Sequence, residues 1–409
     1  MSLHSDNSRC PAAAAATAPA AAQAGPMAVV VLVALGAFAL GMASYMTAGL
    51  IPLIQSSFAV PLAVAAQLVT AFTLAYGLGS PVVVAVLPPQ GQRAALLAAL
   101  ALFVAANAAS ALAGSLSALL LARAVAGVGA GVYLALGIGA AATVAPPARR
   151  GQAIAIIMGG MASGTVLGVP LSLLLAGWFG WQAAFWLVAA LGTLACAGLV
   201  ARLPALPLAA ALPLSRKLAL LADRRVLAIL AVSLLAAIAS LGLYTYLAAL
   251  LVPGQGSASV SLTASLWVWG LGGIVGSFLV GPLADRIRAP WLTLGIMALL
   301  ALALSVLPLA VGASPWLALL PIVVWGAVGW ALQVPQNKLL VQCREPQGDG
   351  NVAVALNESA LYLGSALGAA GGGLMLAVQW PAWSLAAGAA VVAALGALLQ
   401  AACLRGLAR

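Results

Sequence analysis

The chain has 409 residues, of which 65% are hydrophobic and 5% charged, with a formal net charge of +10. A soluble domain sits nearer half apolar and a quarter charged, so this composition excludes a water-soluble globular fold and requires lipid as solvent. The basic residues are short flanks to apolar runs, with no aromatic-interleaved patch, so they argue for topology signals and anionic headgroups and against a nucleic-acid partner.

Residues 1–26 are rich in Ala and Pro and have no helical face, and they read as a disordered cytoplasmic tail, with Met1 and Met27 both admissible as starts. Twelve apolar stretches follow, near 27–52, 62–87, 94–113, 116–144, 151–176, 182–201, 226–251, 260–284, 290–311, 315–340, 351–378 and 382–404. Each reaches the ~20 residues that a spanning helix needs, and the first is too long for a signal-peptide core. The longest polar gap, 202–225, holds Arg202, Arg216, Lys217, Asp223, Arg224 and Arg225, and reads as a cytoplasmic linker between six-helix bundles at 27–201 and 226–409. The expected fold class is an all-α membrane protein, twelve transmembrane helices in two six-helix bundles. The tails and even-numbered connections carry the basic residues, among them Arg9, Arg93, Arg149, Arg150, Arg286, Arg288, Arg344 and Arg405, whereas the odd-numbered connections carry no charge. Lys and Arg are retained in the cytoplasm during insertion, so both termini are expected there. High Ala, Gly and Arg usage suggests a bacterial source, hence the inner membrane.

The four cysteines, Cys10, Cys196, Cys343 and Cys403, lie in no odd-numbered connection and have no metal-ligand spacing, so neither a disulfide nor a metal is expected. The single histidine, His4, falls in the tail, which leaves no nucleophile–base pair inside the membrane and argues against an enzyme. No cofactor is expected.

The two halves are weakly alike. Gly79-Ser80 ends the second stretch as Gly276-Ser277 ends the eighth, and the Gly164, Gly168, Gly177 series of the fifth returns as Gly364, Gly368, Gly372 in the eleventh. Duplicated halves are a common way to build a midplane site between rocking bundles. The markers GLIP (49–52), AAQLVTAFTLAYGLGSP (65–81), LLLARAVAGVGAGVYLALG (119–137), GTVLGVP (164–170), GWQAAFW (180–186), GPLADRIR (281–288) and ALNESALYLGSALGAAGGG (355–373) occur in order at helix ends. With these the chain resembles the major facilitator superfamily, in the twelve-helix drug:proton antiporter branch of arabinose and chloramphenicol efflux permeases. The resemblance implies export by alternating access, with a small-molecule substrate, protons and the lipid bilayer as partners, and a monomer.

The same resemblance implies that GPLADRIR is a conformational loop in which Gly281 lets two helices approach and Asp285 with Arg286 bonds helix ends; the alternative is a solvated turn. The matching connection after the second stretch reads LPPQGQR, with Pro88 and Pro89 where the family carries an acid and a basic residue. Gly160, Gly164 and Gly168 form a close-packing face that Pro170 bends, matching the antiporter motif in its Gly-x-Pro form; generic packing is the alternative.

Arg123 lies about two turns into the fourth helix, where an arginine costs roughly 2.5–3.5 kcal/mol and so should face a cavity or partner. It is either a substrate or proton-relay contact or a packing arginine bonded to backbone carbonyls. Glu358 is the only carboxylate inside a predicted span and shares a helical stripe with Tyr362 and Ser365. Its charged form is desolvated there, which suits a proton carrier; a structural Glu bonded to a helix end is the alternative. Related exporters often carry an acid in the first helix, where this chain has Ser44. The rest of the expected cavity is neutral: Ser44, Tyr45, Tyr244, Tyr246, Trp330, Gln333 and Asn337. That lining suits neutral or amphipathic small solutes, although its aromatics also fit interfacial anchors. The competing expectations are an uncoupled facilitator and a non-transporting sensor or assembly protein.

Overall fold

The structure, a computed structural model, describes residues 26–87, 91–206, 220, 222–251, 260–314, 316–344 and 350–407. The tail with Arg9, Cys10 and His4, Pro88 and Pro89, and most of the 202–225 linker including Arg216 and Lys217 lie outside the described residues.

Among the described residues twelve helices are long and apolar enough to cross a membrane: α1 (Met27–Phe58), α2 (Leu62–Val84), α3 (Gln92–Ala111), α4 (Leu116–Val144), α5 (Arg150–Phe179), α6 (Gln182–Arg202), α7 (Arg224–Thr245), α8 (Leu262–Arg286), α9 (Ala289–Ala313), α10 (Leu319–Arg344), α11 (Val352–Ala377) and α12 (Trp383–Arg405). Hydrocarbon supplies no partner for backbone N–H and C=O groups, so helices that bond internally are the form such apolar runs must take. Twelve crossings put the start of α1 and the end of α12 on one side, here called the terminal face.

The packing repeats between halves. In the first, α1 packs on α5 and α6, α2 on α4, and α3 on α4 and α6; in the second, α7 packs on α11 and α12, α8 on α10, and α9 on α10 and α12. Across the halves α2 meets α11 through residues 62–79 and α5 meets α8 through residues 164–179, with α1 also touching α7. Those segments lie toward the face opposite the termini, so the halves are closed there.

Several helices depart from the expected bounds for identifiable reasons. Pro52 does not end α1, which continues to Phe58. A proline removes one donor, and the turn beyond it is supported by Ser56 and Ser57, whose hydroxyls both donate to Leu53 O at 2.8 and 2.9 Å. Likewise GPLADRIR is no loop over most of its length: α8 runs through Pro282 to Arg286. The expected continuous seventh helix stops at Thr245, turns at Tyr246 and resumes over Leu247–Leu250. The tenth breaks at Leu332, where Pro335 has no N–H to offer Ala331 O. Two π-helical segments, Ala75–Gly79 and Gly164–Gly168, each precede a Gly-x-Pro sequence, Gly79-Ser80-Pro81 and Gly168-Val169-Pro170. The missing proline N–H favours the wider turn in each.

On the terminal face Asp223 caps the start of α7, accepting from Arg225 N–H at 2.9 Å and from Arg344 Nη1 at 3.2 Å. The backbone donor of Arg225 is the largest of the causes that hold its carboxyl below the usual range. Arg93 on α3 caps α6, donating to Leu203 O at 2.8 Å and Val200 O at 2.9 Å.

Candidate functional site: a cavity between the halves

A cavity of about 250 Å³ lies between the halves, walled by α1, α5, α7, α8, α9, α10 and α11. Its aromatic side is built by Tyr45, Trp269 and Trp330, with ring centroids 6.0 Å apart for Tyr45–Trp269 and 5.8 Å for Trp269–Trp330. Gly273 makes room for the Trp330 ring, which a Cβ there would meet at 2.6 Å. Trp325 stands behind, its indole donating to Ser240 Oγ at 2.7 Å. The polar side carries Gln333, Asn357 and Glu358. Glu358 is partly exposed, into this cavity, and it is the only charged residue in the lining. Among the described residues no three His, Cys, Asp or Glu side chains group as a metal site.

The structure brings together some of the expected residues and separates others. Tyr45, Trp330, Gln333 and Glu358 line the cavity. Ser44 and Tyr244 line a smaller adjoining pocket, also bordered by Tyr45. Asn337 is one step back, accepting from Asn357 Nδ2 at 2.9 Å. Tyr246 is removed from the cavity; its ring packs on Gly372 and its hydroxyl donates to Ala369 O.

Arg123 is fully buried inside the first half and does not line the cavity. Nη2 donates to Ala43 O at 2.8 Å, Nη1 to Asn107 Oδ1 at 3.4 Å, and the guanidinium lies 4.3 Å from the Phe72 ring centroid and 5.4 Å from that of Phe185. This is the geometry of a packing arginine, its charge spread over a carbonyl, an amide and two ring faces. Arg123→Ala should therefore destabilise the fold by about 2–4 kcal/mol, since it opens a hole and orphans Asn107 and Ala43 O, while solute affinity stays within a few-fold. Thermal unfolding beside a binding titration checks this; weakened binding at unchanged stability would restore a cavity role.

Among the motif residues, Gly168 packs against the Met42 side chain and Pro170 is buried at the start of the last segment of α5. Gly281 has open space where a Cβ would stand, so no second helix packs on it in this structure. Asp285 and Arg286 are exposed and make no hydrogen bond or ion pair among the described residues.

Sequence reasoning missed Trp269, Ser240, Asn357 and the α5 wall of Met158, Met161 and Thr165. Ser233 and Ser240, seven apart on α7, gave a usable signal, because that spacing puts both on one face. Trp269, in the run Trp267-Val-Trp-Gly, is indistinguishable by sequence from an interfacial anchor.

A family model described as "Major Facilitator Superfamily" matches residues 33–348. Over 367 residues the chain is 30% identical to the inner membrane transport protein YdhP of Escherichia coli strain K12, covering 90% of this chain and 93% of that one. It is 32% identical over 259 residues to a chloramphenicol resistance protein of Streptomyces lividans, covering 62% of this chain and 66% of that one. In fold it is similar to a D-xylose–proton symporter, with TM-score 0.74, 16% identity and coverage of 92% and 97%, and to the inward-open xylose transporter XylE from E. coli, with TM-score 0.73, 16% identity and coverage of 92% and 95%. Two internally repeated sets of six spanning helices around one shared cavity, and a family model that matches from α1 through α10, have one reading: the chain is a transporter, not an enzyme, and belongs to the Major Facilitator Superfamily.

Proposed function

We propose that this transporter exports a small neutral or amphipathic solute across a bacterial inner membrane in exchange for protons, with Glu358 as the proton carrier. The observation that carries the reading is the place of Glu358: the only charged residue in the lining of a cavity shared by both halves. With both termini in the cytoplasm, as the distribution of Arg and Lys favours, the halves are closed toward the outside. A solute entering from the cytoplasm would then favour proton release from Glu358, and rocking of the halves would carry the solute outward and let a new proton in.

The wall chemistry supports a solute with apolar faces and a few hydrogen-bonding groups: Tyr45, Trp269 and Trp330 offer rings, Gln333 and Asn357 offer amides. A volume of about 250 Å³ accommodates one small molecule. Arg123 lies outside the lining, so no fixed positive charge recruits anions. Likeness to a chloramphenicol resistance protein adds a phenicol to the first candidates. An uncoupled facilitator is favoured only by Ser44 standing where related exporters often carry an acid.

The test is solute flux in proteoliposomes under an imposed pH gradient, with chloramphenicol and arabinose as the first panel. The expected result is accumulation driven by the gradient. Equilibrating flux that ignores the gradient would make this a facilitator.

A further inference from the structure

Beside the cavity, toward the face opposite the termini, lies a second pocket of about 20 Å³. Tyr45, Leu241 and Tyr362 line both spaces and form the wall between them. The small pocket is polar: seven of its ten lining residues carry a hydroxyl, supplied by α1, α2, α7 and α11, hence by both halves. A water needs about 10–15 Å³ and two to four polar partners, so the pocket is sized for water and for no solute. Ser44, Thr73 and Thr245 give their hydroxyl protons to Leu40 O at 2.9 Å, Val69 O at 2.8 Å and Leu241 O at 3.2 Å. Their oxygens are therefore acceptors toward the pocket.

Tyr362 connects the two spaces. It follows Glu358 by one turn on the same face of α11. Its hydroxyl is 3.4 Å from Ser44 Oγ, and because Ser44 already donates to Leu40 O, Tyr362 is the donor in that pair. Its ring is stacked on Tyr76 of the first half, with centroids 3.5 Å apart, which fixes it in the closed interface.

We propose that the small pocket holds one ordered water and is the proton inlet to Glu358, with Tyr362 relaying the proton across the wall; this rests on Glu358 being the carrier. When the halves part on that face, the water meets the outside. The Tyr362 O–H swings from Ser44 toward the carboxylate. Its O–H bond breaks as the new carboxyl O–H bond forms, directly or through one cavity water. The tyrosine oxygen takes a replacement proton from the pocket water, which draws one from outside, so no net charge stays on the relay. While the halves are closed, Tyr45, Leu241 and Tyr362 keep solute out of the small pocket, so the solute reaches the outside only once the halves have parted. The titratable groups around Glu358 are Tyr45 on α1, Tyr76 on α2 and Tyr362 on α11. Tyr244 on α7 lies beyond the wall, and Lys338 on α10 is turned to α8, donating to Ala284 O at 2.7 Å.

The test is chloramphenicol-driven proton flux into proteoliposomes, read with an internal pH dye in H2O and D2O, for wild type, Tyr362→Phe, Thr73→Val and Glu358→Gln. Tyr362→Phe keeps the ring and the stack, and Thr73→Val keeps the volume. The expected result is proton uptake slowed by about 10- to 100-fold in Tyr362→Phe and by a smaller factor in Thr73→Val, with fewer protons moved per solute and a solvent isotope effect at least as large as that of the wild type. Wild-type proton flux in Tyr362→Phe, with Glu358→Gln uncoupled, overturns the relay alone. Coupled flux persisting in Glu358→Gln overturns the carrier assignment and the relay with it.

Discussion

Glu358→Gln should abolish uphill export while leaving solute affinity within a few-fold of wild type. The amide matches the carboxyl in shape and keeps hydrogen-bonding capacity, so the cavity loses neither volume nor polarity. What it loses is the only group in the lining that can alternate between charged and neutral, and no second acid stands by to replace it. For one-for-one exchange, a pH difference of one unit supports about a tenfold solute gradient, worth roughly 1.4 kcal/mol. The wild type should approach that ratio in loaded vesicles and the variant should stop at equal concentrations. Accumulation by the variant at the wild-type level would sink the carrier assignment.

Gly164→Leu should prevent stable assembly of the first half. Helices α1 and α5 cross with backbone against backbone: a Cβ at Gly164 would fall on the Phe38 carbonyl, one at Gly41 on the Met161 carbonyl, and one at Gly160 would stand 2.5 Å from Ala34 O. In each case the obstructing atom is main chain in the neighbouring helix, which cannot turn aside as a side chain can. Accommodating leucine means separating the helices along the whole contact, at a cost of about 3 kcal/mol or more. Gly164 also opens the π segment that precedes Pro170, so the separation would spread to the part of α5 that meets α8. Thermal unfolding in detergent should show a large drop in midpoint or no folded protein. Gly281→Leu, made into open space, is the control and should unfold like wild type. Equal midpoints for Gly164→Leu and wild type would contradict the packing described.

The helices were legible where composition decides them. The stretch expected at 116–144 coincides with α4, because Ser115 caps its start, accepting from Ala118 N–H at 3.2 Å, and Pro146 follows its end. Interruptions within spans were less legible. The turn at Tyr246 falls within 243–252, a run without Gly or Pro, where tertiary contacts to Ala369 and Gly372 override local preference. The first helix was expected to end at Pro52 and instead runs to Phe58, since in lipid a helix that loses one bond is still better than an unpaired backbone. Depth along a helix could be read for Arg123 and Glu358, but which neighbour each faces could not. Gly127 and Gly131 mark a face packed against Phe72 and Ser80 of α2, and that gave no hint that Arg123 would turn toward Asn107 and Ala43. For Glu358, the i, i+4 relation to Tyr362 did carry into space, as both line the same cavity.

The central claim, exchange of solute for proton at Glu358, is tested most directly by measuring proton release when solute binds the purified protein in weakly buffered detergent solution. The account predicts a release of up to one proton per solute bound near neutral pH by wild type, and none by Glu358→Gln at comparable affinity. Binding without proton release in the wild type, or equal release in the variant, would contradict it.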